Sequence, residues 1–303
     1  MVQMRERMAQ LVNLSETPTV LLHGNPHLNN YSLIDDNACM NDFDRTAIGP
    51  YSWDLARFLV SLSLKSDNDA YGFIKPGIIS RLFEGYEWGL LRFNSKFIQV
   101  QNKSAFEQEI DSTFFDKRMK ELRKNSIDVN NQILQRLIAL YIIELKEDIL
   151  KDYDLISAGK LSTWARGRDR YMALFVKKRK SAYDIREEQN LDLIIDFKPA
   201  VVDPEDKYFK NAFKPTEAGK KMIVASQIYC PGMGKREAAF TMDGVGWWGR
   251  ELPRYNRKLR GEISEEIQRE LAFSVGSQLG RGHALSISLQ LQKGTTIEIS
   301  SIF

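Results

Sequence analysis

Histidine and cysteine are scarce, with three histidines and two cysteines in 303 residues. Cys39 and Cys230 stand alone and no C-x-x-C pair exists, so neither a thiolate zinc site nor a disulfide framework is expected. A reducing, cytoplasmic setting fits that usage. No apolar run approaches the ~20 residues of a membrane span. The longest, such as Leu137 to Ile143, is far shorter, so no membrane association is expected. Arg5, Glu6 and Arg7 are followed by no apolar signal core, which argues against secretion. Charge of one sign is not in excess: the formal net charge is +3, which gives no reason to expect a nucleic-acid partner. The one dense basic run, Lys177-Lys178-Arg179-Lys180, reads as a solvated hairpin tip in preference to a phosphate-binding patch. No internal repeat is evident.

What remains is an ordinary globular composition, 43% apolar and 27% charged, enough for one large domain or two smaller ones with a real core. The two halves pattern differently. A short helix is expected over 1–15. Thr19 to Leu22 reads as a strand, followed by strand-like pieces at Tyr31 to Ile34 and Cys39 to Asn41 joined by Asp35-Asp36-Asn37. Helices follow: one with Pro50 in its first turn running to Ser63, then Ile78 to Leu91, Phe106 to Leu122 and Asn131 to Leu150. Beyond them, Tyr171 to Val176 and Leu191 to Phe197 form an expected hairpin with a long charged tip. Thr216 to Ile228 reads as a helix, Phe240 to Met242 and Trp247 to Leu252 as short strands, and Ile263 to Leu279 as a helix. The tail Ala284 to Phe303 alternates apolar and polar residues around Lys293-Gly294 and reads as a β-hairpin. Trp247-Trp248, set between glycines, reads as core packing in preference to a binding surface.

One ordered set of residues carries chemistry. His23-Gly24-Asn25-Pro26-His27-Leu28-Asn29-Asn30 follows the first strand; Asp42-Phe43-Asp44 comes next, and then Gly49-Pro50-Tyr51-Ser52-Trp53-Asp54-Leu55-Ala56-Arg57. Gly24 and Pro26 break helical spacing, so His23 and His27 do not form a helical metal pair. Taken singly they read as hydrogen-bonded loop histidines. Asp35, Asp36 and Asp44 taken singly read as turn chemistry.

Together the set resembles the H-G-D-x-H-x-x-N, I-D-F/W and G-x-x-x-x-D-L-A pattern of aminoglycoside-phosphotransferase-like kinases. It resembles still more closely an uncharacterised bacterial family of unknown function whose stretch runs H-x-x-N-F-G, N-D-F-D-E and G-P-x-x-W-D-L-x-R. The later segments resemble that family in order: Arg170-Tyr171, Ile195-Asp196-Phe197-Lys198-Pro199-Ala200, Met222 to Gln227, Arg250-Glu251-Leu252-Pro253, and Leu279 to Ala284.

The resemblance implies an α+β, protein-kinase-like, two-lobed fold in circularly permuted order. A helical lobe with the catalytic loop would span 1–155 and a β-rich nucleotide lobe 156–258. Residues 259–303 would supply a helix returning to the first lobe, plus the tail. ATP and Mg²⁺ are the implied cofactors, a nucleotide the implied ligand, and no protein partner is indicated. Phosphoryl transfer needs positioned metal, a cation on the phosphates and a group that orients the acceptor hydroxyl. By resemblance, Asn30 and Asp42 are the metal positions and Asn25 stands at the base position of a loop opened by His23. Lys198 would face the phosphates, with Arg250 and Glu251 in the cofactor-binding segment between lobes. Asp54, His27 and His283 would be structural, Asp54 bracing the loop.

Four departures from the family's pattern are visible, one of them a tail after Ala284 that matches none of it. Asn25 replaces the aspartate base. Ala165 to Asp169 carries one glycine where the family has several. Ala225 stands where a helix glutamate would pair with the lysine, and Glu217 lies about two turns early. A kinase-like protein with impaired transfer is therefore expected. The alternatives are an active ATP-dependent phosphotransferase acting on a small molecule or protein, and a metal-dependent hydrolase using Asp42, Asp44 and the histidines.

Overall fold

The structure, a computed structural model, describes residues 17–34, 37–64, 74–94, 114–162, 169–178, 192–200, 217–230, 235–253, 256–258 and 264–292. The helix expected over 1–15, the single-glycine stretch at 165–168 and the tail from 293 onward lie outside these residues.

The described chain is mixed α+β. β1 (Thr19–Leu22) pairs antiparallel with β4 (Ala47–Pro50), and β2 (Tyr31–Ile34) pairs with β3 (Asn37–Met40) as the turn residues between them predict. Helix α1 (Ser52–Ser63) follows. Pro50 ends β4 and does not open α1: its register partner is Thr19, and the missing N–H of proline is tolerated at a strand terminus. Then come α2 (Pro76–Leu91), α3 (Phe114–Lys124), the two-residue β5 (Ser126–Ile127) and α4 (Gln132–Leu145). The Asn131 side chain caps α4 by accepting from the Ile133 and Leu134 N–H groups. The expected helix to Leu150 breaks at Lys146, which turns left-handed, and resumes as the short α5 (Ile149–Asp152).

The second half builds one antiparallel sheet in the order β5-β6-β7-β8-β10-β9, from β6 (Tyr153–Ser162), β7 (Asp169–Lys177), β8 (Leu193–Pro199), β9 (Ala238–Met242) and β10 (Val245–Glu251). Helix α6 (Ala218–Tyr229) lies between β8 and β9 in the chain. β11 (Asn256–Lys258) pairs with β2, carrying the chain back to the first half. Helix α7 (Glu265–Gln292) then packs along α2 and reaches β1. The tail reading is corrected here, because Ala284 to Gln292 continues α7. Tertiary contact overrides the two-residue alternation: Ser286 Oγ accepts the Leu21 N–H at 2.6 Å. On the same strand the Tyr229 hydroxyl donates to the Leu21 carbonyl at 2.5 Å, so α6 and α7 together satisfy the open edge of β1.

Strand alternation gives the sheet two distinct faces. Tyr171, Ala173, Phe175, Ile195, Phe197 and Trp247 form one face, packed on Leu134, Leu137, Ile138 and Tyr141 of α4. Met172, Leu174 and Ile194 on the other face meet Phe115 and Leu122 of α3. Trp248 points to that second face and is 1% exposed, so both tryptophans are core residues. The described part of the basic run is held locally: Lys178 Nζ donates to the Leu150 carbonyl at 2.6 Å. The expectation of unpaired cysteines is also corrected. Cys39 on β3 and Cys230 after α6 form a disulfide across 191 residues, a proximity that sequence spacing does not encode. No helix among the described residues is long and apolar enough to cross a membrane.

Candidate functional site

The loop after β1 is shaped by Asp54, which is 1% exposed at the start of α1. Its Oδ2 accepts the His23 N–H at 2.8 Å and its Oδ1 the Gly24 N–H at 3.0 Å. Asp54 Oδ2 also meets His283 Nε2 at 3.3 Å, and His283 Nδ1 is hydrogen-bonded to the Tyr86 hydroxyl at 2.8 Å. Elements from three distant parts of the chain thus fix one turn. Gly24 has φ +80°, and a Cβ there would sit 1.8 Å from the Arg45 carbonyl oxygen, so no side chain fits.

His23 is fully buried against Phe43 and Tyr229. Burial pulls its pKa down to about 4, against the opposing pull of Asp54. Its Nδ1 accepts the Asn25 N–H at 3.2 Å, so the neutral ring carries its proton on Nε2. His27 opens the short turn Leu28–Asn30, its carbonyl accepting the Asn30 N–H at 2.8 Å.

Asp42 is the convergence point. It adopts φ 67°, a left-handed conformation uncommon for aspartate, which aims its carboxylate back at the loop. Asn25 Nδ2 and Asn30 Nδ2 both donate to Asp42 Oδ2, each at 3.3 Å. Asn30 Nδ2 also reaches the Asn25 carbonyl at 3.1 Å, and Arg57 donates to Asn25 Oδ1 at 3.3 Å. From the six-stranded sheet, Lys198 Nζ comes within 3.6 Å of Asp42 Oδ1 and 2.7 Å of Asp44 Oδ2. Burial works against ionisation of Asp42, but the Lys198 ammonium and the two amides outweigh it and hold the carboxyl below its ordinary value.

The sheet face that carries Lys198 continues the charge. Asp196, two residues earlier on β8, is fully buried and gripped by Arg170 of β7, with one guanidinium nitrogen 2.7 Å from Oδ2. Arg250 of β10 is directly opposite in register, its Nε 3.8 Å from the same carboxylate and its guanidinium 4.4 Å over the Trp248 ring. Burial disfavours the Asp196 charge, yet Arg170 above all keeps its pKa below the usual carboxylate range. Glu251 points to the opposite face, where Arg236 holds it at 2.7 Å. Ala225 lies within the buried side of α6 beside Ser226, whose hydroxyl donates to Glu237 at 2.7 Å.

Of the residues expected from the sequence, the structure brings together His23, Asn25, Asn30, Asp42 and Lys198, with Asp54 and His283 behind them. The Glu251 side chain stands apart. Two participants take places that the sequence did not assign them. Asp44 is the nearer partner of Lys198, and Arg57 orients the Asn25 amide. Both sit inside the quoted motif stretches, but nothing in the sequence indicates which way either points.

The resemblance implies Mg²⁺, so the donor set must be tested for it. Magnesium takes oxygen ligands in near-octahedral geometry. Asp42 Oδ2 is covered by two amide NH₂ groups, and the side of Oδ1 and Asp44 is covered by an ammonium. No group of three or more His, Cys, Asp or Glu side chains among the described residues is arranged to hold a metal. As folded, the residues do not fit the ion.

A family described as an uncharacterized protein conserved in bacteria (DUF2252) matches residues 1–139. The chain is similar to that family over the stretch that includes His23 to Arg57. No curated protein and no solved structure matches the chain.

Proposed function

We propose that this chain is a kinase-like phosphotransferase-family protein, circularly permuted, whose catalytic output is impaired. The observation that carries the reading is Lys198, which reaches a carboxylate pair more than 150 residues earlier, 2.8 Å from Asp44 Oδ1 across 154 positions. Support for the permuted order comes from α7, which brings His283 to Asp54 across 229 positions, next to the loop that the chain would otherwise enter directly. Support for impairment comes from Asn25. Its amide is neutral and is occupied at both ends by Asp42 and Arg57, so it takes no proton from an acceptor hydroxyl. Positioning alone sustains part of phosphoryl transfer. A residual nucleotide contact at Lys198 is therefore consistent with the reading.

Two measurements on the full chain test it: thermal shift with ATP, with and without Mg²⁺, and phosphate release. At 1 mM ATP the expected rise in midpoint is small, no more than about 2 °C, as for a ligand with a dissociation constant near its concentration. Phosphate release should stay at background. Robust turnover that disappears in Asp42→Ala would establish an active phosphotransferase and overturn the reading.

A further inference from the structure

We infer that Lys198 is a built-in counter-ion that stands where a divalent cation would bind, so the folded protein holds its Asp42–Asp44 pair without metal. The ammonium is 2.7 Å from Asp44 Oδ2, 2.8 Å from Asp44 Oδ1 and 3.6 Å from Asp42 Oδ1. It therefore bridges the two carboxylates as a shared metal would. Lys198 keeps only 18% of its side chain exposed, against 40% for Asp42 and 35% for Asp44, so the cation is the innermost member of the group.

The amides disfavour metal on the Asp42 Oδ2 side as well. An amide facing a carboxylate must present NH₂, whereas an amide ligating a cation must present its carbonyl oxygen. Asn25 and Asn30 both present NH₂ to Asp42 Oδ2. Reversing Asn25 would also put its NH₂ against the Arg57 donor, and reversing Asn30 would break its bond to the Asn25 carbonyl. A divalent ion drawing on these amides would need the reversals, whereas one replacing the ammonium would meet Asp42 Oδ1 and the Asp44 carboxylate and need neither, so the like-charged ammonium is the barrier.

The resemblance points to α6 for the cause. A helix carboxylate would draw the lysine away from the loop, but α6 carries Ala225, fully buried in apolar packing, and contacts the Phe43–Arg45 turn. Lys198 takes Asp44 and Asp42 instead. This inference deepens the proposed function and rests on it only for the expectation that metal belongs here.

Mn²⁺ alone, with no nucleotide, provides the test, read as loss of the free-ion EPR signal. Wild-type full-length protein should show no site at 1 mM Mn²⁺. Lys198→Met should gain one site at least tenfold tighter, and adding Asp42→Asn to Lys198→Met should abolish it; Lys198→Gln serves as a second neutral variant should the methionine fail to fold. A stoichiometric wild-type site lost in Asp42→Asn would overturn the inference, as would folded Lys198→Met and Lys198→Gln proteins with no gain. Robust phosphate release by the wild-type protein would overturn the proposed function, whereas the Mn²⁺ outcomes are read without nucleotide and stand or fall separately.

Discussion

Replacing Gly276 and Gly280 of α7 together by alanine should lower the thermal midpoint by about 10 °C or prevent folding. A Cβ at Gly276 would lie 2.2 Å from the Leu82 carbonyl oxygen, and one at Gly280 would lie 2.1 Å from that of Tyr86. Both obstacles are backbone atoms of α2, so no side-chain rotation relieves them. The helix α2 answers in kind: a Cβ at Gly85 or Gly89 would lie 2.1 Å from the carbonyl of Phe273 or Ser277. Overpacking costs ~1–3 kcal/mol per site, and here two sites one turn apart push the same helix the same way. The consequence reaches the site, because His283 lies three residues beyond Gly280 and touches Asp54. Circular dichroism melts of the two single variants and the double variant measure this. Midpoints within 2 °C of wild type would mean the helices do not approach backbone to backbone.

Asp54→Ala should cost about 3–5 kcal/mol, read from urea unfolding. The substitution leaves the His23 and Gly24 N–H groups and the His283 imidazole buried without their acceptor. Each orphaned donor costs ~1–3 kcal/mol. Asp54→Asn restores one carbonyl oxygen and should fall between alanine and wild type. Amide hydrogen exchange should accelerate more at Gly24 than in α4, which packs on the far sheet, in both variants. Wild-type stability in Asp54→Ala would remove Asp54 as the brace of the loop.

The site was legible where its residues sit in an ordered local pattern. The loop from His23 to Asn30, the Asp42 turn and the start of α1 lie within 35 positions, and local spacing carries that information. Lys198 was legible only through its place in the order of later segments. Strands failed where apolar alternation is absent. β6 carries Asp154, Ser157, Gly159 and Lys160 and has a bulge between Leu155 and Ser157, so no two-residue period marks its ten residues. β4 is too short, four residues ending in proline, to be separated from the helix after it. The end of α7 failed for the opposite reason: Leu285, Ile287, Leu289 and Leu291 alternate cleanly, yet the helix continues. The Cys39–Cys230 pairing and the meeting of Lys198 with Asp44 are tertiary events, and no local rule reaches them.

Whether a late lysine and an early carboxylate share one site is decided most directly by a double-mutant cycle on unfolding free energy, with Lys198→Met, Asp44→Asn and the pair. Contact at 2.7 Å predicts a coupling of about 1 kcal/mol that shrinks with added salt. Additivity within ~0.3 kcal/mol, independent of salt, would separate the two side chains and contradict the site as described.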